Sequence, residues 1–206
     1  MAIFRIERAT RKDDAAVATL ARAFHDDPMF NFFMPHLVRQ AHGLLAFMGA
    51  SYYDAKPYDE IWVAHSENDK FAGAAVWLPP GEYPRTPRRE TMTYVRALPS
   101  FARVGRRLGA SVRLLGAVDR AHHSIDQPHW YLALLGVDPA FQRMGAGGAL
   151  LQPVLERCDT EGVAAYLETQ KEENVPWYGR HGFDVVEKIE VKGCPPIWTM
   201  LRQPRS

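Results

Sequence analysis

Apolar and charged residues alternate along residues 3–8, the pattern of a half-buried strand. From Val17 through Leu20, Ala21 and Phe24 the apolar spacing turns helical, and Thr10 followed by Asp13 resembles an N-cap with an acidic partner. Pro28 predicts a break after His25-Asp26-Asp27, and an apolar segment from Leu37 to about Tyr53 reads as a second helix. Residues 61–65 and 71–78 are β-rich runs joined across Ser66-Glu67-Asn68-Asp69-Lys70, a hairpin pattern ended by Pro79-Pro80-Gly81.

Residues 84–127 differ from both flanks. They are Arg-rich and helix-prone, with expected breaks at Pro87, Pro99 and Gly109, and read as two or three short helices. Arg103, Arg106, Arg107, Arg113 and Arg120 form either a basic patch or the solvated face of helices that bury Val104, Leu108, Val112 and Leu115; the second reading is favoured. Then follow a strand over 130–137, a glycine turn, a helix to about Asp159, a strand over 164–169, a short helix over 175–181 and final runs at 185–191 and 197–201. The expected architecture is α/β or α+β with a mixed sheet, in one domain over 1–206 that carries a helical insertion at about 84–127.

Composition narrows the class. The chain is 47% hydrophobic and 24% charged, as in soluble globular proteins, and 25 Lys+Arg against 24 Asp+Glu argue against a dedicated nucleic-acid partner. Cys158 and Cys194 offer neither a metal-ligand spacing nor a disulfide framework. No signal peptide or membrane span is expected, so the protein is read as cytoplasmic. The histidines His122, His123 and His129 have no geometry that recommends a metal, and none is expected.

The stretch Gln142-Arg143-Met144-Gly145-Ala146-Gly147-Gly148 lies between an apolar strand and a helical pattern. Glycines there let backbone approach an anion, and the first helical turn offers unpaired N–H groups at the positive end of its dipole. No Lys-Ser/Thr pair follows, which removes the P-loop reading, and the spacing is not that of a dinucleotide fingerprint. A turn that serves close packing alone stays open on these residues.

The longer run Val137-Asp138-Pro139-Ala140-Phe141-Gln142-Arg143-Met144-Gly145-Ala146-Gly147 resembles the acyl-CoA-binding motif of the GNAT superfamily of N-acetyltransferases. Asn174-Val175-Pro176-Trp177-Tyr178-Gly179-Arg180-His181-Gly182-Phe183 is similar to that family's second signature, an Asn and then a Tyr before Gly-Phe. The likeness covers nearly the whole chain except the Arg-rich segment. Within the family, His129-Trp130-Tyr131-Leu132, Leu167-Glu168-Thr169 and Pro153 resemble puromycin N-acetyltransferase and its bacterial relatives. By local rules Pro153 forfeits a helical hydrogen bond and should kink its helix.

The resemblance implies a largely antiparallel mixed sheet flanked by helices and splayed at the acyl-CoA site, with acetyl-CoA as acyl donor. The pyrophosphate would sit on the amides of Arg143 to Gly148 (Arg143, Met144, Gly145, Ala146, Gly147, Gly148) beside Gln142. The pantetheine arm would pair with backbone near Leu135, Gly136 and Val137, Gly136 being compatible with the family's strand bulge. Tyr178 matches the tyrosine that protonates the departing thiolate, and Asn174 would hold the cofactor arm or cap its helix. Glu168, ending an apolar strand, is the candidate base acting through water, or a salt-bridged carboxylate; His25, His129 and His181 are further candidates, of which His129 and His181 rank lower. The amine pocket falls to the first two helices and the hairpin, with Phe24, His25, Asp26, Asp27, Phe30, Phe32 and Phe33 as an aromatic, acidic wall; a loop packing its aromatics on the sheet is the alternative.

The leading expectation is an acetyl-CoA-dependent N-acetyltransferase acting on a small amine by direct attack on the thioester, as monomer or homodimer, with no nucleic-acid or membrane partner. A protein or peptide N-acetyltransferase and a non-catalytic acyl-CoA-binding module are the alternatives.

Overall fold

A computed structural model describes residues 3–10 and 14–205. Strands β1 (Arg5–Arg8), β2 (Ile61–His65), β3 (Phe71–Leu78), β4 (His129–Val137), β5 (Ala164–Thr169), β6 (Asp184–Ile189) and β7 (Ile197–Arg202) make one sheet in the order β1-β2-β3-β4-β5-β7-β6. Every neighbouring pair is antiparallel except β4 with β5. Side chains of β4 are buried at every second position, while β3 and β5 are buried almost throughout.

Helices cover both faces. Against one face lie α1 (Asp14–Ala23), α2 (Pro28–Phe33), α3 (Leu37–Ala55) and α5 (Leu108–His123), joined in a core that includes Leu20, Phe30, Leu44, Met48, Tyr52, Val76, Leu114 and Leu134. Against the other lie α6 (Ala146–Glu161) and α7 (Asn174–Arg180), around Trp77, Trp130, Leu150, Leu151, Val154 and Phe183. Asp13, the acidic half of the expected cap, lies outside the described residues. Pro28 does end the first helix, but it also opens α2 at its first turn, where Asp27 Oδ1 accepts from the Met29 and Phe30 amides. The aromatic loop considered from the sequence is therefore partly a helix.

Residues 84–127 differ more from expectation. They form two long helices, α4 (Pro87–Val104) and α5, separated by a 3₁₀ turn at Gly105–Arg107. Pro87 starts α4, with Thr86 as its cap, but Pro99 and Gly109 lie inside helices; the break falls at Gly105, whose φ of 61° suits glycine. Arg106, Arg107, Arg113 and Arg120 are exposed, yet so are Leu108 and Val112. Val104 is buried as expected, and Ser111, Leu114 and Ala121 take the places expected of Leu108 and Val112. α6 likewise runs unbroken through Pro153 and stops at Gly162, φ 67°, where the Val163 amide closes back on the Cys158 carbonyl. Among the described residues no helix is long and apolar enough to cross a membrane.

Candidate active site

The site begins where two paired strands separate. β4 and β5 are joined from His129↔Ala164 to Leu132↔Leu167; beyond that β4 follows β3 as far as Gly73↔Val137, while β5 follows β7 through Glu168↔Thr199 and Thr169↔Trp198. At the parting the β3 register jumps from Val76↔Leu134 to Trp77↔Leu132 and leaves Ala133 without a partner. That extra residue is the bulge. The distortion expected at Gly136 is thus three residues earlier, and Gly136 itself pairs regularly with Ala74. Its missing side chain has another use: a Cβ would lie 2.9 Å from Ala23 Cβ and from Leu20 Cδ2, so glycine is what lets α1 reach the sheet here.

The gap opens a cavity of 390 Å³. One wall is the end of β4 (Leu135, Gly136, Val137), the turn residues Gln142, Arg143, Gly145, Gly147 and Gly148, and Asn174 and Trp177 of α7. In the turn, Arg143 takes φ 62° and Gly145 φ 99°, and no side chain caps α6. The first amides of α6 therefore have no side-chain partner, as at helix starts that bind anions. Gln142 braces the turn by donating to the Val137 carbonyl at 3.1 Å. Gly147 lies under Trp177, where a Cβ would approach the indole to 3.2 Å.

The opposite wall is helical and aromatic: Phe24 and Asp27 between α1 and α2, Met29 and Phe30 of α2, Phe47 of α3, and Leu115 and Val118 of α5. Phe30 meets Phe24 and Phe47 edge to face, with centroids 6.2 and 5.0 Å apart. Asp27 is buried, and desolvation raises its pKa to about 6 against the pull of the Met29 and Phe30 amides and of Lys171.

Tyr178 and Glu168 both face this space. Burial pushes the Tyr178 phenol well above its ordinary pKa, so it keeps its proton at neutral pH. The Glu168 side chain is 7% exposed, and its Oε1, without a hydrogen-bond partner, lies 3.5 Å from His122 Nδ1. Its charge raises the phenols of Tyr131 and Tyr166, on top of the larger effect of their own burial. The alternative of a salt-bridged carboxylate has a partner here, the buried His122 and not an Arg or Lys.

The sequence matches the profile of the acetyltransferase (GNAT) family over residues 23–183. The chain belongs to that family. An uncharacterized N-acetyltransferase of Schizosaccharomyces pombe is 26% identical over 225 residues, covering 100% of this chain and 85% of the other. A Corynebacterium glutamicum structure described as histone acetyltransferase HPA2 and related acetyltransferase superposes with a TM-score of 0.67 at 23% identity, over 100% of this chain and 98% of the other. Drosophila melanogaster polyamine N-acetyltransferase, which forms N-acetylagmatine, gives 0.62 at 17% identity, over 98% and 100%. These two structures share the GNAT fold with this chain.

As a GNAT site, the cleft gathers most of the residues picked out by sequence and leaves a few aside. Met144 is 43% exposed and Ala146 is packed inward, so neither lines the cavity. Asn174 does not cap α7: it is the first helical residue, and its side chain donates to Thr169 Oγ1 at 3.2 Å, tying α7 to the end of β5. Of the amine wall, Phe24, Asp27 and Phe30 line the cavity. His25 does not, its half-exposed ring pairing with Asp26 at 2.8 Å. The hairpin contributes no lining residue, whereas α5 contributes Leu115 and Val118, which the sequence placed in a segment outside the resemblance. Helical spacing marked Leu115 only as a buried-face residue, and nothing marked Val118. His122 was visible only as one of several histidines; no group of His, Cys, Asp and Glu among the described residues suits a metal ion.

Proposed function

We propose that this GNAT protein is an acetyl-CoA-dependent N-acetyltransferase for a small cationic amine with an apolar body. The observation that carries the reading is the cavity itself: an uncapped helix start and an unpaired strand edge at one wall, Tyr178 and Glu168 between the walls, and aromatic rings around a buried carboxylate at the other. The helical cover from α2, α3 and α5 suits a small molecule better than the open groove a polypeptide needs. Kinship to the puromycin N-acetyltransferase group remains part of this reading, resting on His129-Trp130-Tyr131-Leu132, Leu167-Glu168-Thr169 and Pro153.

The residues present fit acetyl-CoA, which supplies an activated acyl group when bound. Amides of Arg143 to Gly148 would hold its pyrophosphate, and the free edge of residues 133–137, with Asn174, its pantetheine arm. Asp27 and the rings of Phe24, Phe30 and Phe47 would seat the amine. Glu168 takes the ammonium proton so that the nitrogen lone pair is free to attack the thioester. Tyr178 gives its proton to the leaving sulfur and regains one from the nitrogen that has formed the amide.

The test is release of free thiol from acetyl-CoA with a panel of agmatine, spermidine, tyramine, tryptamine, puromycin and short peptides. Turnover of at least one non-peptide amine is expected. Turnover of peptides alone moves the protein to the peptide N-acetyltransferases, and tight acetyl-CoA binding with no turnover makes it a binding module.

A further inference from the structure

One element of the site has no part in the reaction so far. His122, on α5 and 3% exposed, lies against Glu168 from behind the cavity, boxed by Tyr83, which stacks on it at 3.9 Å, and by Tyr131 and Tyr166, each with centroids 4.4 Å away. Its Nε2 is 2.8 Å from His129 Nε2, and His129 Nδ1 is 2.8 Å from the Gln127 carbonyl. His129 is half-buried, so this line of contacts leads from the cavity to the surface at the start of β4.

Counting donors along the line fixes where the protons are. A carbonyl only accepts, so His129 carries its proton on Nδ1 and presents a lone pair at Nε2. His122 must then donate from Nε2. If His122 is neutral, its Nδ1 is a second lone pair, and it faces Glu168 Oε1 at 3.5 Å, an oxygen that is itself buried and without a hydrogen-bond partner. Two acceptors face to face in a buried site are unfavourable unless one proton lies between them.

We propose that Glu168 and His122 hold one proton between them and that His122 and His129 relay protons from Glu168 to solvent during turnover. The proposal rests on Glu168 being the base. An ammonium proton arriving at the Glu168 carboxylate displaces the shared proton onto His122 Nδ1. The His122 Nε2 proton passes to His129 Nε2, and the resulting His129 imidazolium loses a proton to water at the surface. One proton enters, one leaves and no electrons are exchanged, matching the single proton that transfer of acetyl from a thioester to an ammonium ion releases; the hops leave the ring protons on the opposite nitrogens, and the starting tautomers return before the next turnover. Burial lowers the pKa of His129, with the His122 charge adding to it, so His129 gives up a proton readily once it has received one. The other groups facing His122 are phenols: Tyr131 from β4, Tyr166 from β5, and Tyr83, which donates to Asp119 at 2.6 Å and carries Arg85 on its other side. All three phenols are shifted upward and keep their protons, and those of Tyr131 and Tyr166 hydrogen-bond to the Glu168 carboxylate without reaching between it and His122 Nδ1.

Side-chain nitrogen NMR of the wild-type protein at pH 7.5 reads the arrangement directly. His129 should be neutral with its proton on Nδ1, and His122 should carry a proton on Nε2; a His122 protonated at Nδ1 alone overturns the proposal. The kinetic arm uses His129→Gln, whose amide can bridge His122 and Gln127 but cannot carry a proton, together with His122→Gln. Both should lower kcat by about 10-fold or more, raise the solvent deuterium isotope effect and leave the KM for acetyl-CoA within about twofold. A folded His129→Gln enzyme, judged by an ordinary melting shift with acetyl-CoA, that keeps the wild-type kcat also overturns it. Should the variants not fold, the wild-type spectrum alone decides. Absence of acetyl transfer by the wild type would sink the functional reading instead, while leaving the proton arrangement measurable.

Discussion

The two walls of the cleft are built by different means. The wall proposed for the cofactor is largely backbone: a strand edge released by the bulge at Ala133, a turn held in left-handed conformations at Arg143 and Gly145, and a helix start with no side-chain cap. The wall proposed for the amine is side chain, with Phe24, Phe30, Phe47, Leu115 and Val118 drawn from four separate stretches of sequence and one buried carboxylate among them. A backbone site needs particular glycines and a proline at fixed spacing, which makes it rigid and recognisable. A side-chain site needs only rings and a charge from any helix that packs there, so it varies freely and leaves no motif. Shared reaction with unshared substrate is the expected outcome of that division.

The sharpest way to separate chemistry from binding lies between the walls. Replacing Tyr178 with Phe keeps the ring and its packing on Phe183 and Trp177 but removes the only proton it can give. A fall in kcat of about 10²–10⁴-fold is expected, the usual worth of a positioned acid, with acetyl-CoA affinity by calorimetry unchanged. A wild-type kcat would remove Tyr178 as the acid.

Asp27 probes the amine wall alone. If its carboxylate receives the cationic amine, Asp27→Asn should raise the amine KM by about 10-fold, a charge-assisted hydrogen bond being worth roughly 1.5–3 kcal/mol, without moving the KM for acetyl-CoA. The pH dependence has a definite sign. With the folded pKa at about 6 and the ordinary value at 3.8, Asp27 is charged and competent only as pH rises through 6, so wild-type amine KM should fall over that range and the variant's should not. For stability the order is reversed: the contribution of a raised pKa is full below 3.8 and lost as pH climbs through 6. The neutral amide of the Asp27→Asn variant escapes that loss and keeps a capping oxygen for the Met29 amide. The melting temperature of the variant should therefore gain on that of the wild type between pH 4 and pH 7, and equal differences at the two ends would contradict the burial cost assigned to Asp27.

What could be read from sequence follows the same division. The order of strands and helices, and the gathering of the glycine turn, Tyr178 and Glu168 at one cavity, rest on local pattern or spacing and were legible. A bulge in β4 was expected from the resemblance, but its place was not legible, because Ala133 is unpaired only through the competing demands of β3 and β5, which no local pattern records. Nor was the run of α4 through Pro99 or of α6 through Pro153, where packing on the protein outweighs a lost hydrogen bond. The part played by α5 in the cavity depends on where a 16-residue helix lands, a tertiary fact.

Gly136 tests the division most closely because it belongs to both walls. Its backbone is part of the strand edge expected to meet the cofactor, but its hydrogen in place of a side chain serves α1 and the amine wall, touching the space of Leu20, Ala23 and Phe24. Gly136→Ala puts a methyl group 2.9 Å from two carbon atoms, too close to be absorbed without movement. The strand is held on its other side by β3, where Gly73 already lies so near that a Cβ there would meet the Gly136 carbonyl at 2.7 Å. The helix is the partner that must shift, carrying Ala23 and Phe24 with it. Denaturant unfolding should show a loss of about 1–3 kcal/mol, the ordinary cost of overpacking, and the amine KM should rise more than the KM for acetyl-CoA. A variant that loses acetyl-CoA affinity first would mean that the strand yields and the helix does not, and that the two walls are one mechanical unit at this point.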